Sequence, residues 1–283
     1  MARRGLAILA TVGALAAALL PATVLARDVD TPPSPAELAR QISGDEYAMA
    51  DAEAALGALA KEPSTDVLVD LARHELQVEQ AAYRYRAGVR AEQIVVYRLA
   101  VTPGLDSQVL PRLDPATAAP IRSAIEGLRA LWRAAGIDNL AQVQIRWTRR
   151  FQDSAPVDTL VGYYQAAAGT YPVEWTYLAS INFIESDFGR DNGPSSAGAM
   201  GPMQFMPGTW QDYGSGGDIM SPHDSIYAAA RYLYRMGAPG NMDRAIYRYN
   251  NDSDYVQSVE SFAAAFRADP TWVKRIYYWS TAG

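Results

Sequence analysis

The chain contains no cysteine. Disulfide staples, thiolate metal sites and a lipid-modified cysteine anchor are therefore excluded together, and a secreted domain of this kind must stand on its core alone. Histidine is almost as scarce. His74 and His223 are the only two, far apart and without partners at ligand spacing, so neither a metal nor another cofactor is expected. The run Asn250-x-Asp252-x-Asp254 begins like a calcium loop but has Tyr255 where the sixth-position Gly belongs and Ser261 at position twelve. Strand-like alternation is scarce, and no phosphate-binding Gly motif or Ser-His-Asp order is present. Positive charge is in deficit too, with a formal net charge of −6. Neither nucleic acid nor anionic lipid is attracted to such a surface, whereas an uncharged or mixed-charge polymer stays open as a partner.

Only one apolar run is long, Leu6 to Leu20. At about 15 residues it is short for a membrane span. Arg3 and Arg4 precede it and Val24-Leu25-Ala26 follows with cleavage-site character, so residues 1–26 read as a cleaved secretory signal, with a retained anchor as the weaker reading. The Arg pair lacks the rest of a twin-arginine signal, which leaves ordinary secretion. Removing the two positive charges of Arg3 and Arg4 with this leader takes the net charge from −6 to −8. The expected destination is the periplasm, the cell wall or the exterior, with no stable membrane anchor.

The whole chain, 283 residues and 49% hydrophobic, is ample for a sizeable core. Residues 27–35 are Pro-rich and read as a linker. Residues 36–152 form a helical N-terminal region of three or four helices, with breaks at Pro63-Ser64, Thr102-Pro103-Gly104 and Leu110 to Pro115. Within it Thr65 to Ala100 is a candidate coiled-coil arm, although its apolar stripe is irregular. The Arg146, Arg149, Arg150 cluster reads first as a solvated helix face and second as a contact for an anionic wall polymer.

Residues 153–283 form the second region. A helix is expected over Val157–Ala168, stopped by Gly169. The next opens at Thr170-Tyr171-Pro172 and runs to Glu185 or Ser186, with Leu178, Ile181 and Glu185 on one face. An irregular loop, Asn192 to Gly201, follows. Ser221-Pro222-His223-Asp224 reads as a capping box, and further helices are expected at Ile226–Met236, Met242–Asn250 and Tyr255–Phe266, with a last short one after Pro270. The fold class is all-α.

One acid stands out. Glu185 ends an apolar helix, where the partial negative charge of the helix end and burial by Ile181, Ile184 and Phe188 both favour the neutral carboxyl. A glutamate so raised can act as a general acid near neutral pH. The loop Gly201-Pro202-Met203-Gln204-Phe205-Met206-Pro207 begins 16 residues later. Taken singly, the neighbours have ordinary readings. Ser186 can cap the helix, Met203 and Phe205 can fill the core, Gln204 can bond its own loop, and Tyr249 is one of 17 tyrosines.

Together, Glu185-Ser186, that loop with Thr209-Trp210, the helix Ala228-Ala229-Ala230-Arg231-Tyr232-Leu233, and Tyr249-Asn250 resemble, in order and spacing, the lytic transglycosylases of the lysozyme superfamily. Phe188-Gly189 and the loop look most like the membrane-bound lytic transglycosylase B type. The resemblance covers roughly residues 155–265. It implies a lysozyme-like catalytic domain that binds peptidoglycan glycan strands, with Glu185 as acid/base. On the substrate side, Ser186 is implied to orient that glutamate or a substrate group, Met203 and Gln204 to contact the sugar, and Tyr249 to place its hydroxyl near the glutamate, with Asn250 after it. The implied product is a 1,6-anhydro end. A muramidase on the same scaffold and a non-catalytic peptidoglycan-binding protein are the alternatives. Hydrolysis calls for a second carboxylate, for which Asp218 is the candidate. Asp187 is expected to point away and Asp224 to cap. The N-terminal helices are a candidate surface for a protein partner.

Overall fold

In the computed structural model, residues 32–62, 68–137 and 153–279 are described. The leader, the Pro63-Ser64 break, the boundary near residue 152 and the Arg146, Arg149, Arg150 cluster lie outside them.

Helix α1 (Pro35–Leu59) starts where the Pro-rich linker was expected to end. Ser34 caps it by accepting from the Glu37 N–H, and Glu37 returns the bond to the Ser34 N–H. Helix α2 (Leu68–Val101) is 34 residues long. It is no free arm. Arg84 pairs with Asp51, and the His74 ring bonds the Leu59 carbonyl, so α1 and α2 run antiparallel as a hairpin. The Thr102–Gly104 break is where sequence placed it. After it come α3 (Leu105–Val109), a 3₁₀ turn (Leu110–Arg112) and α4 (Pro115–Ala134), capped by Asp114. Pro115 opens α4 at a position where the missing N–H costs nothing, and so starts a helix where it was read as interrupting one.

The second region contributes α5 (Val157–Thr170), α6 (Trp175–Ser186), α7 (Pro207–Tyr213), α8 (Pro222–Met236), α9 (Met242–Tyr249), α10 (Ser253–Ala268) and α11 (Thr271–Trp279). No strand occurs among the described residues, and the all-α class holds. Two local expectations change. Gly169 lies inside α5. Tyr171, forced extended by Pro172, delays α6 until Glu174 can stand at its N-cap. Pro207, the last residue of the motif loop, begins α7 at its first position.

One core runs through both regions, from Leu38 to Trp279. Its spine is α4 against α10. Gly127 makes that approach possible, because a Cβ there would lie 2.8 Å from the Phe262 ring. The Ser258 hydroxyl donates to the Gly127 carbonyl at 3.0 Å, and Arg133 pairs with Asp254 at 2.8 Å. Helix α6 is apolar on nearly every face and lies inside, buried from Leu178 to Ser186. The Ser180 hydroxyl fastens it to α10 through the Val259 carbonyl, 2.8 Å away. None of the described helices is long and apolar enough to cross a membrane.

Candidate active site

The end of α6 carries Glu185, only 1% exposed. Its Oε1 accepts a hydrogen bond from the Tyr255 hydroxyl at 2.6 Å, and its Oε2 has no hydrogen-bond partner among the described residues. Burial pushes the carboxyl from 4.5 up to about 8, with the Tyr255 bond pulling weakly the other way. No other carboxylate among the described residues acts on it. An acid with those properties keeps its proton at neutral pH and offers a free oxygen from which to give it.

Below Glu185 the motif loop is bolted to the helix end. The Ser186 hydroxyl donates to the Pro202 carbonyl at 2.5 Å and accepts from the Gly189 N–H at 2.9 Å. The Asn182 amide donates to the same carbonyl at 2.8 Å and is oriented by the Tyr164 hydroxyl, which donates to its Oδ1 at 2.6 Å. The loop then turns tightly. Gly201 has φ +78°, and a Cβ on it would lie 2.0 Å from the Ile219 carbonyl oxygen, so only glycine fits. Gln204 also takes a left-handed conformation, φ +47°, and Met200 and Phe205 exchange paired backbone bonds across the turn. The Gln204 amide donates to the Gly193 and Gly201 carbonyls, while its Oε1 is left without a partner.

From the other side α9 closes the site. The Tyr249 hydroxyl donates to the Met203 carbonyl at 2.6 Å and packs in a cluster with Phe205, Tyr232 and Trp210. It stands near enough for an ionised Glu185 to raise the tyrosine further. Asn250, 2% exposed, has both amide atoms unpartnered among the described residues. Buried groups of this kind cost free energy unless something bonds them, and polar groups converging beside a buried acid are what a hydroxyl- and amide-bearing ligand requires.

The structure thus gathers Glu185, Ser186, Met203, Gln204 and Tyr249 through direct bonds and packing, and sets Asn250 directly after Tyr249 at the end of α9. Ser186, implied to orient the glutamate or a substrate group, and Met203, implied to contact the sugar, are both fully buried. Ser186 spends its hydroxyl on the loop, and Met203 offers only a carbonyl that Tyr249 already holds. They shape the site from behind. Three contributors were missed, Tyr255, Asn182 and Tyr164. A signal for Tyr255 did exist, since Tyr255, Val259, Phe262 and Phe266 share one face at helical spacing, and the helix cap at Asp252 accepts from the Tyr255 N–H. That bond also explains the calcium-like run as a cap, with Asp254 engaged by Arg133.

The other acids have structural tasks. Asp187 is buried and paired with Arg190. Asp218 is exposed and closes a turn by accepting from the Met220 N–H. Asp224 accepts from the Asp218 N–H and from His223, so the expected box is half present, with Ser221 capping the Asp224 N–H but the carboxylate turned elsewhere.

Comparison with curated proteins and with solved structures gives no match. A family model does match. Residues 162–267, the stretch from within α5 to within α10 that holds Glu185, the bolted loop and Tyr255, match the model of the transglycosylase SLT domain, a lysozyme-like family.

Proposed function

We propose that the protein is a peptidoglycan lytic transglycosylase, of the membrane-bound B type in its motifs, that cleaves the β-1,4 bond between N-acetylmuramic acid and N-acetylglucosamine with Glu185 as its single acid/base. The observation that carries this reading is the isolation of Glu185, a buried acid raised to about 8 with no second carboxylate acting on it among the described residues. Hydrolysis in most glycosidases needs two carboxyl groups, one for the leaving group and one for the nucleophile or its water. A single carboxyl suffices if the substrate provides the nucleophile. Neutral Glu185 gives its proton to the glycosidic oxygen as the bond to C1 of the muramoyl sugar breaks. The resulting carboxylate takes the proton of the C6 hydroxyl of that same sugar, whose oxygen bonds to C1. The products are a free N-acetylglucosamine hydroxyl and a 1,6-anhydro end, Glu185 is again neutral, and no water is consumed.

Tyr255 steadies the carboxylate between the two proton transfers, since its hydroxyl already donates to Oε1. Gln204 Oε1 and the Asn250 amide are the polar atoms left to meet the sugar or its acetamido group. The leader-like segment Arg3–Ala26 fits export to the envelope, where this substrate lies. The test is mass spectrometry of fragments released from purified sacculi. Anhydro-ended muropeptides are expected from the wild type and none from Glu185→Gln. Reducing ends, heavier by one water, would make the protein a muramidase. No release from either, with retention on sacculi, would make it a binder.

A further inference from the structure

Directly after Glu185-Ser186 the backbone takes three left-handed residues in succession, Asp187 (φ 52°), Phe188 (φ 60°) and Gly189 (φ 89°). Glycine is at ease there and Asp tolerates it, but a bulky Phe does not, and such a run persists only where its surroundings over-determine it. A single glycine would have ended the helix at less cost.

The surroundings come from distant parts of the chain. The Phe188 ring is buried between Phe183 and Tyr277, with centroids 5.5 and 5.6 Å away, and its carbonyl accepts from the Ser154 hydroxyl at 2.5 Å. Arg190, itself buried, reaches back to the Asp187 carboxylate at 3.4 Å and lies 4.0 Å from the centre of the Tyr277 ring. Tyr277 in turn is held by its hydroxyl, which donates to the Ala155 carbonyl at 3.1 Å. Tyr277 stands on α11, and α11 is pinned to the N-terminal hairpin by Arg275 on Glu46 and Glu92, by Lys274 on Glu53 and by Tyr278 against Tyr85. A rigid chain of contacts therefore leads from the hairpin to a turn two residues from Glu185. The left-handed turn makes the bonds that close the helix end, Phe188 N–H to the Asn182 carbonyl at 3.1 Å and Gly189 N–H to the Ser186 hydroxyl at 2.9 Å, and relaxation of Asp187 or Phe188 toward ordinary φ would break them beside the 2.6 Å contact of Glu185 with Tyr255.

We propose that Arg190 and Tyr277 are positioning residues for the reaction: stacked on each other, they tie the left-handed turn after Glu185 to α11 and hold the carboxyl of Glu185 in its dry, Tyr255-bonded place. The inference rests on Glu185 being the acid/base, and it gives the N-terminal hairpin a part in catalysis, as the wall against which α11 is braced.

The test uses the full chain with Arg190→Met and Arg190→Lys, and Tyr277→Leu and Tyr277→Phe. Two readouts are taken. One is the titration midpoint of the Glu185 carboxyl by carbon-13 NMR, its signal identified by loss in Glu185→Gln, which requires no turnover. The other is kcat and KM on sacculi. In Arg190→Met and Tyr277→Leu the midpoint is expected to fall by about one unit or more as water reaches the carboxyl. Their kcat is expected to drop about tenfold or more, with KM within about threefold. Arg190→Lys and Tyr277→Phe, which keep the charge and the ring, should stay near the parent in both. If Arg190→Met does not fold, Tyr277→Leu decides by the same readouts. A folded variant that keeps the parental midpoint and kcat overturns the proposal and leaves the stack purely structural. A midpoint that moves as expected in a protein that releases nothing from sacculi would instead sink the transglycosylase reading while the positioning of Glu185 stands.

Discussion

Glu92, in the N-terminal hairpin, and Glu185, at the end of α6, are both fully buried, and burial holds both carboxyls above the usual range. Their neighbours differ. Glu92 accepts from Arg275 at 2.9 Å, and that guanidinium also grips Glu46 with both of its terminal nitrogens, at 2.5 and 2.8 Å. Glu185 has one tyrosine hydroxyl and no cation, while in both carboxyls the second oxygen has no hydrogen-bond partner among the described residues. Burial that raises an acid does not by itself assign it a catalytic task. What separates the two is whether a cation in the fold has already claimed the group. At Glu92 the electrostatics are spent on docking α11, and at Glu185 they are left for a ligand.

The sharpest way to break that contrast is to neutralise each acid. Glu185→Gln is expected to lower turnover of sacculi by about a thousandfold or more, in line with loss of a general acid on which the whole step depends. Glu92→Gln should leave turnover of the folded protein within a few-fold of the parent, and release assays on the two variants side by side check it. Removing the partners should reverse the order. Arg275→Met strands two carboxylates against α11 and is expected to cost about 3–5 kcal/mol of stability, measurable by urea unfolding, whereas loss of the Tyr255 hydroxyl costs about 1–3 kcal/mol at most.

A pH series sharpens the comparison further. The folded value of Glu185, about 8, lies above its ordinary 4.5, so the fold favours the neutral form. The stability this acid leaves intact below pH 4.5 is lost progressively as pH rises through about 8. Glu185→Gln, which cannot ionise, should therefore gain on the wild type across that window, by on the order of a few kcal/mol at its upper end. Equal thermal-melt differences at pH 4.5 and pH 8 would contradict it. The smallest effect is expected from Tyr255→Phe. The lost bond was lowering the Glu185 value, so the basic limb of the pH–rate profile should move upward, by roughly half a unit to one unit.

Much of this was legible in the sequence, and unevenly so. The acid was visible because its helix is apolar to its last turn and because three further motifs follow it in order. The breaks at Thr102–Gly104 and Asn192–Gly201 were visible because Pro and Gly punctuate them. Tyr255 was not singled out, since a tyrosine that faces a carboxyl and one that fills a core have the same spacing. Asn182 and Tyr164 were hidden for a related reason, as a relay among α5, α6 and the loop leaves no local pattern. The turn at Asp187–Phe188 was invisible because its residues are the wrong ones for left-handed backbone. The long apolar-polar run of α2 read as a possible arm because its irregular stripe is divided between α1 on one side and α11 on the other.

The bonds from Arg275 to Glu46 and Glu92 join residues 229 and 183 positions apart. Contacts of such separation are among the last a folding chain can make, because the loop they close must be gathered first. Glu46 and Glu92 lie early in the chain yet gain their cation only when α11 is in place. The turn after Glu185 waits on the same helix, because Tyr277, against which Arg190 lies, stands on it. On the proposed function, the acid of the site is braced only once the last described helix has docked.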